Sequence, residues 1–313
     1  MRERTVIITG ANSGIGKAAA LKFATEGHHV IMACRNLEIS RVAQQAIIRA
    51  SNNPNVDLLQ VDMSSFASIR AFCAAYEAKY PRLDILIHNA AYLNHGEKEY
   101  KLSPEGIELT FATNTFGPLL MTRLLTERLA ASQDPRVLHA CTTNIKHFFD
   151  PKRQIEFDNL RGEYSGSRPY STYKMYGDSK MALLMLSFKL ADELKDRGIN
   201  VNALQINRVR LSKETIQKMS PAWRMLARAQ NLINPPSSGM ADTYYYLVTS
   251  DELKQVTGQL FNHKREMMQV AATEQGFAQL TNILGSTAYP RHASDIRNMQ
   301  RIWDLSLSLI EGS

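Results

Sequence analysis

The chain has 313 residues, 44% of them hydrophobic and 21% charged, with only 16 glycines and 11 prolines; this composition carries enough apolar surface for a large core and excludes a disordered or collagen-like chain. Its 37 lysines and arginines against 30 acids leave a net charge of +7, but the cations are spread out, with neither a basic tail nor an RNA-binding signature, which argues against nucleic acid as a partner. No apolar stretch approaches the roughly 20 residues of a membrane span, and Met1-Arg2-Glu3-Arg4 leads into strand-like sequence without the apolar region of a signal peptide, so a cytoplasmic protein is expected.

In chain order, short β-branched runs fall at Thr5–Thr9, His29–Cys34, Val56–Asp62, Leu83–Asn89, Val137–Thr142, Asn200–Ile206 and Gln259–Asn262. Between them, helical apolar spacing marks Gly16–Glu26, Leu37–Ala50, Ser65–Tyr80, Pro104–Ala131, Ser171–Asp196 and Pro236–Ser250, and Asp295–Glu311 adds a last amphipathic helix. The alternation predicts an α/β fold, a doubly wound parallel sheet of Rossmann type. No break in composition divides residues 1–313, so a single domain is expected. Two stretches interrupt the rhythm: Lys146–Arg168, read as a long loop, and Arg208–Ser238. Both would follow strands, where ligands bind in such folds. Residues 207–238 are therefore a candidate substrate lid, with Met219, Trp223, Met225, Leu226 and Leu232 either wrapping an apolar ligand or packing one helix onto the body. Cys34, Cys73 and Cys141 form no CxxC pair and read as reduced core thiols, not a metal site.

After the first strand comes Thr9-Gly10-Ala11-Asn12-Ser13-Gly14-Ile15-Gly16-Lys17, opening an Ala-rich helix. The glycines allow a tight turn and close backbone approach, and the helix start offers free N–H groups and a positive dipole to a pyrophosphate. This TGxxxGxG spacing resembles the short-chain dehydrogenase/reductase family. Arg35 stands 19 residues beyond Gly16, where an NAD-preferring protein usually places an acid. Its guanidinium, with Lys17 nearby, suits a ribose 2′-phosphate, so the expected cofactor is NADP(H). By the resemblance, Asp62 would bond the adenine amino group, the other reading being a cap for the helix after Ser64-Ser65. Asn89, in His88-Asn89-Ala90-Ala91, would bridge strand ends and shape the adenine-ribose pocket, with His88 as packing.

Tyr176 and Lys180 lie four residues apart on a predicted helix, hence on one face. An ammonium near a phenol favours the phenolate and would lower its pKa, so the pair suits proton exchange with a carbonyl or alcohol. It matches the YxxxK of the same family, in which Lys180 would also hold the nicotinamide ribose and Asn114 would support a relay water. A second YxxxK, Tyr170 to Lys174, precedes it by six residues. Six residues turn a helix by about 600°, so the two pairs face about 120° apart and only one can serve the site. The later pair, followed by the apolar run 181–184, is the expected one. Thr142 aligns best with the family's substrate-binding serine, its extra methyl narrowing the site.

The long separation between Thr142 and Tyr176, together with Ala33-Cys34-Arg35-Asn36 and Ile302-Trp303-Asp304-Leu305-Ser306, resembles the retinol dehydrogenase and WW-domain oxidoreductase branch. Where the family has Pro-Gly lining the nicotinamide, this chain has Ile206-Asn207. The resemblance implies an NADP(H)-dependent oxidoreductase that interconverts a carbonyl and an alcohol on a sizeable apolar substrate. The departures at Thr142 and Ile206-Asn207 keep two alternatives open: a cofactor-binding sensor or scaffold with weak redox chemistry, or a non-redox acid-base enzyme. The resemblance also allows homo-oligomers through the helices at Pro104–Ala131 and Ser171–Asp196, or a monomer if the final helix and the insertion cover those faces.

Overall fold

The computed structural model describes residues 3–93, 97–162, 169–212, 216–217 and 221–312. Seven parallel strands, β1 (Thr5–Thr9), β2 (His29–Cys34), β3 (Val56–Gln60), β4 (Ile85–His88), β5 (Arg136–Thr142), β6 (Asn200–Ile206) and β7 (Leu260–Phe261), form one sheet. Their order is β3-β2-β1-β4-β5-β6-β7, so the winding reverses between β1 and β4. The central strands are buried on both faces, as parallel strands flanked by helices must be. Alternation along β1 divides the core: Ile7 faces one hydrophobic cluster, Val6 and Ile8 the other.

On the face that buries Val6 and Ile8 lie α1 (Gly14–Thr25), α2 (Leu37–Ser51) and α9 (Ser238–Thr249). On the other lie α3 (Phe66–Lys79), the run α4 (Leu109–Phe111), α5 (Gly117–Leu124) and α6 (Thr126–Ala130), and the long α7 (Thr172–Leu194). Residues 177–187 of α7 are buried all round, as a helix clamped between sheet and outer layer must be. The short α8 (Pro221–Ile233) and α10 (Phe277–Leu284) stand at the rim. The final α11 (Ile296–Glu311) buries Ile302, Trp303 and Ile310, with Trp303 beneath Arg123 of α5 and Lys189 of α7 at 6.0 and 5.8 Å. It thus covers part of the faces expected to serve assembly. No described helix is long and apolar enough to cross a membrane.

Several elements differ from the sequence expectation. The helix expected from Pro104 begins at Leu109, because the Glu108 carboxylate accepts from the Thr110 and Phe111 amides at 2.8 and 3.1 Å and so sets the start. Its continuation passes through a π-turn at Ala112–Phe116 before α5. The loop expected from Lys146 instead begins inside a 3-10 turn, Thr143–Phe149, and residues 163–168 lie outside the described residues. Unforeseen are α10, although Phe277, Leu280, Ile283 and Leu284 recur along it at helical spacing, and the two-stranded parallel pair β8 (Gln269–Val270) and β9 (Ala288–Tyr289), whose two-residue, exposed or half-buried strands leave no periodic signal.

Candidate active site

The Gly-rich loop leaves β1 with Gly10 at φ +67° and Gly14 at φ +53°, backbone settings that side chains resist. Gly16 is needed for space: a Cβ there would stand 2.4 Å from the Gly10 carbonyl oxygen and 2.5 Å from Asn89 Nδ2. Above Gly14 a Cβ would meet nothing within 4 Å, and Ser13, at the N-cap of α1, makes no side-chain capping bond. Loop and helix start therefore present an open set of amides suited to an anion. Asn89 locks the strand ends together, its Nδ2 donating to Thr9 O at 2.9 Å and its Oδ1 accepting from the Tyr244 hydroxyl at 3.1 Å. His88 packs as expected, stacked on His139 at 4.9 Å with Nε2 bonded to Thr122 at 2.8 Å.

A cavity of about 700 Å³ opens beside this loop, lined among others by Gly10, Asn12, Ser13, Lys17, Arg35, Asp62 and Asn89. Lys17 and Arg35 are exposed at its edge, from the start of α1 and the end of β2. Asp62 follows the capping reading in part: its Oδ1 accepts from both the amide and the hydroxyl of Ser64, at 2.9 and 2.7 Å. Ile15 lies on the other side, lining the neighbouring cavity.

That neighbour, about 530 Å³, has Thr142, Tyr176, Lys180 and Tyr244 in its wall and shares Asn89 and Ala91 with the first. The Tyr176 phenol and the Thr142 hydroxyl are neighbours in this wall, bringing the end of β5 and the second turn of α7 to one place. Lys180 is buried and donates to the Ala140 carbonyl at 2.7 Å. The expected lowering of the Tyr176 phenol is corrected by this geometry. Burial pushes the phenol up to about 12, offset in part by the nearby Thr142 hydroxyl, and burial lowers Lys180 to about 8. Asn114, inside the π-turn, accepts from the Tyr92 amide at 2.7 Å and donates to Tyr92 O and Ser179 Oγ at 3.1 and 3.2 Å. Both its amide hydrogens are thus committed to the protein, leaving a relay water only a lone pair on the oxygen.

The earlier YxxxK is elsewhere. Tyr170 donates to buried Glu108 at 2.8 Å, and Lys174 pairs with Asp178 at 2.7 Å and Glu156 at 3.1 Å. Arg153 holds the other oxygen of Asp178 at 2.6 Å.

The candidate lid needs a larger correction. Of its named residues only Trp223 lines the cavity, with Ala227 and Gln230 of the same helix. Met225, Leu226 and Leu232 are 74%, 45% and 81% exposed, because α8 turns that face outward; Met219 lies outside the described residues. The sequence reading also missed Tyr244. Its signal was helical phase: within the Tyr244–Tyr246 run, Tyr244 shares the buried face of α9 with Met240, Ala241, Leu247 and Val248.

A glycine-rich strand-to-helix turn leading to a cavity with Tyr and Lys one helical turn apart defines a nucleotide-binding oxidoreductase type of site. Comparison with known proteins agrees with that class. The profile of the family described as short chain dehydrogenase matches residues 4–146. Retinol dehydrogenase 13 of Mus musculus is 33% identical over 275 residues, covering 84% of this chain and 76% of that protein. Among solved structures, an uncharacterised protein from Mycobacterium paratuberculosis superposes with a TM-score of 0.67 at 24% identity, over 98% of this chain and 93% of the other. A Shigella flexneri short chain dehydrogenase complexed with NADP gives 0.64 at 21% identity, over 84% and 98%. The chain belongs to the short-chain dehydrogenase family of oxidoreductases, with relatives among retinol dehydrogenases.

Proposed function

We propose that the protein is an NADP(H)-dependent oxidoreductase interconverting a carbonyl and an alcohol on a sizeable, largely apolar substrate. The observation that carries this reading is the grouping of Tyr176, Thr142 and Lys180 in the wall of a cavity that adjoins a second one edged by Arg35 and Lys17. The open amides above Gly14 and at the start of α1 suit the cofactor's pyrophosphate, and the two exposed cations suit a 2′-phosphate. Bound there, the nicotinamide would supply or accept the hydride.

The chain's own groups handle the proton. Thr142 holds the substrate oxygen beside Tyr176, and a phenol raised to about 12 is an acid at neutral pH. In reduction, Tyr176 gives its proton to the oxygen as negative charge develops there. Lys180, held against Ala140 O, keeps a positive charge beneath the site below about pH 8. Trp223, Leu211 and Leu93 form the apolar part of the wall and exclude water from the reacting oxygen.

The test is a fluorescence titration with both cofactors, followed by assays on aldehydes and ketones of increasing apolar size. NADPH should bind at least about tenfold more tightly than NADH, a difference of about 1.4 kcal/mol, and Arg35→Asp should erase it. Turnover should rise with substrate size. Equal affinities would reject the cofactor assignment, and NADPH binding without turnover of any carbonyl would favour a cofactor-binding protein that has lost redox chemistry.

A further inference from the structure

The catalytic cavity continues outward. A second chamber of about 520 Å³ shares Thr143, Asn207, Arg208, Val209 and Asn234 with it and ends at His263. The wall divides by chemistry. Around Trp223, Leu211, Ala227 and Leu93 it is apolar, whereas the junction carries Arg208 with the amides of Asn207 and Asn234. Asn207 is fixed there, its Nδ2 donating to His263 Nδ1 at 2.9 Å.

Arg208 is the notable group. It stands two residues beyond the end of β6, and it is exposed. Among the described residues it enters no ion pair, and no carboxylate lines either chamber. A guanidinium at a cavity junction without an acid partner is suited to an anion brought by the ligand, most strongly to a carboxylate it can bind with two parallel N–H bonds. The proposed 2′-phosphate has a different home: the chamber lined by Lys17 and Arg35 does not include Arg208.

We infer that the substrate is bipartite, an apolar chain with its carbonyl or alcohol at Tyr176 and a carboxylate at its far end held by Arg208. This rests on the proposed function and adds its substrate class. Arg208 is then a specificity residue, not a catalytic one. The anion fixes which end of the chain enters, and the apolar inner wall supplies area.

Two readouts on the full chain test it. The first is independent of turnover: the protein has two tryptophans, and with Trp303→Phe in the background the emission of Trp223 reports on the cavity. In the presence of NADPH, decanoate should bind at least about tenfold more tightly than decanol, and Arg208→Met should remove the difference while leaving decanol and NADPH affinity unchanged. The second is kinetic: kcat/KM for 9-oxononanoate should exceed that for its methyl ester by a similar factor, again only with Arg208 present, and Arg208→Lys should retain part of it. Decanol binding as well as decanoate, or an ester turned over as well as the acid, would overturn the inference with the redox reading intact. Loss of NADPH affinity in Arg208→Met would also overturn it, making Arg208 a cofactor ligand. Arg208-dependent decanoate binding without turnover of any carbonyl would leave the anion site standing and reject the redox reading.

Discussion

Two stretches of this chain carry the same spacing, Tyr170 to Lys174 and Tyr176 to Lys180, and the fold treats them in opposite ways. In the first, every polar end is matched: the Tyr170 hydroxyl meets Glu108, and Lys174 completes a buried cluster with Asp178, Glu156 and Arg153. In the second, the phenol has the neutral Thr142 hydroxyl beside it in the cavity wall, and the ammonium donates to a backbone carbonyl. Saturation by partners makes the first pair a clasp for the segment between β5 and α7. Its absence leaves the second free to exchange a proton with a ligand. Spacing gives a pair of residues a shared face, and surroundings decide what that face does.

The contrast can be broken at its strongest point, Asp178. Its side chain is 1% exposed and holds two partly buried cations, so Asp178→Ala takes the carboxylate from Arg153 and leaves Lys174 with Glu156 alone, and should cost at most about 3–5 kcal/mol. A shift in the urea midpoint measures this. A loss below about 1 kcal/mol would mean that the cluster is solvated, since exposed pairs contribute no more than that.

Lys180 gives a prediction with a definite sign. Burial lowers its pKa from 10.5 to about 8, so between those values the unfolded chain binds the extra proton and stability rises with pH. Below pH 8 the penalty of the buried ammonium is present in full. Lys180→Met should abolish the rise and stabilise the protein at pH 7 by up to about 3 kcal/mol, less the bond lost to Ala140. Denaturant midpoints from pH 7 to 10.5 that run parallel in the two proteins would show that Lys180 titrates as an ordinary lysine.

Tyr170→Phe removes one donor from the buried Glu108 carboxylate and should cost about 1–3 kcal/mol. Thermal melts measure it. A change within error would show that the Thr110 and Phe111 bonds alone satisfy Glu108.

The same distinction marks what was legible in the sequence. The Gly-rich loop and the strand positions could be read because local rules dictate them: positive φ at Gly10 and Gly14, close contact at Gly16, and short apolar strands alternating with helices. That Tyr170 and Tyr176 meet different surroundings was also within reach, since Tyr170 follows Pro169 and precedes the N-cap Ser171 of α7, whereas Tyr176 lies inside that helix. The direction of the α8 face was not. Met225, Leu226 and Leu232 form a strong apolar stripe, yet the helix presents it outward and sets Trp223, Ala227 and Gln230 toward the cavity. Periodicity identifies a face without saying what it meets. The protonation of Tyr176 was likewise hidden, because burial depth and the diversion of Lys180 to Ala140 O are properties of the packed core. Tyr244 reaches Asn89 across 155 positions of sequence, a contact no local pattern announces.

The most direct test of the contrast is single-turnover oxidation of bound NADPH by a long-chain aldehyde, with Tyr176→Phe and Tyr170→Phe measured side by side at saturating cofactor. Tyr176→Phe should slow the step by at least about 100-fold, the scale of a lost general acid, with NADPH affinity unchanged, and Tyr170→Phe should leave the rate within about twofold of the native protein. The reverse pattern, or equal rates in both variants, would contradict the assignment of Tyr176 as the proton donor.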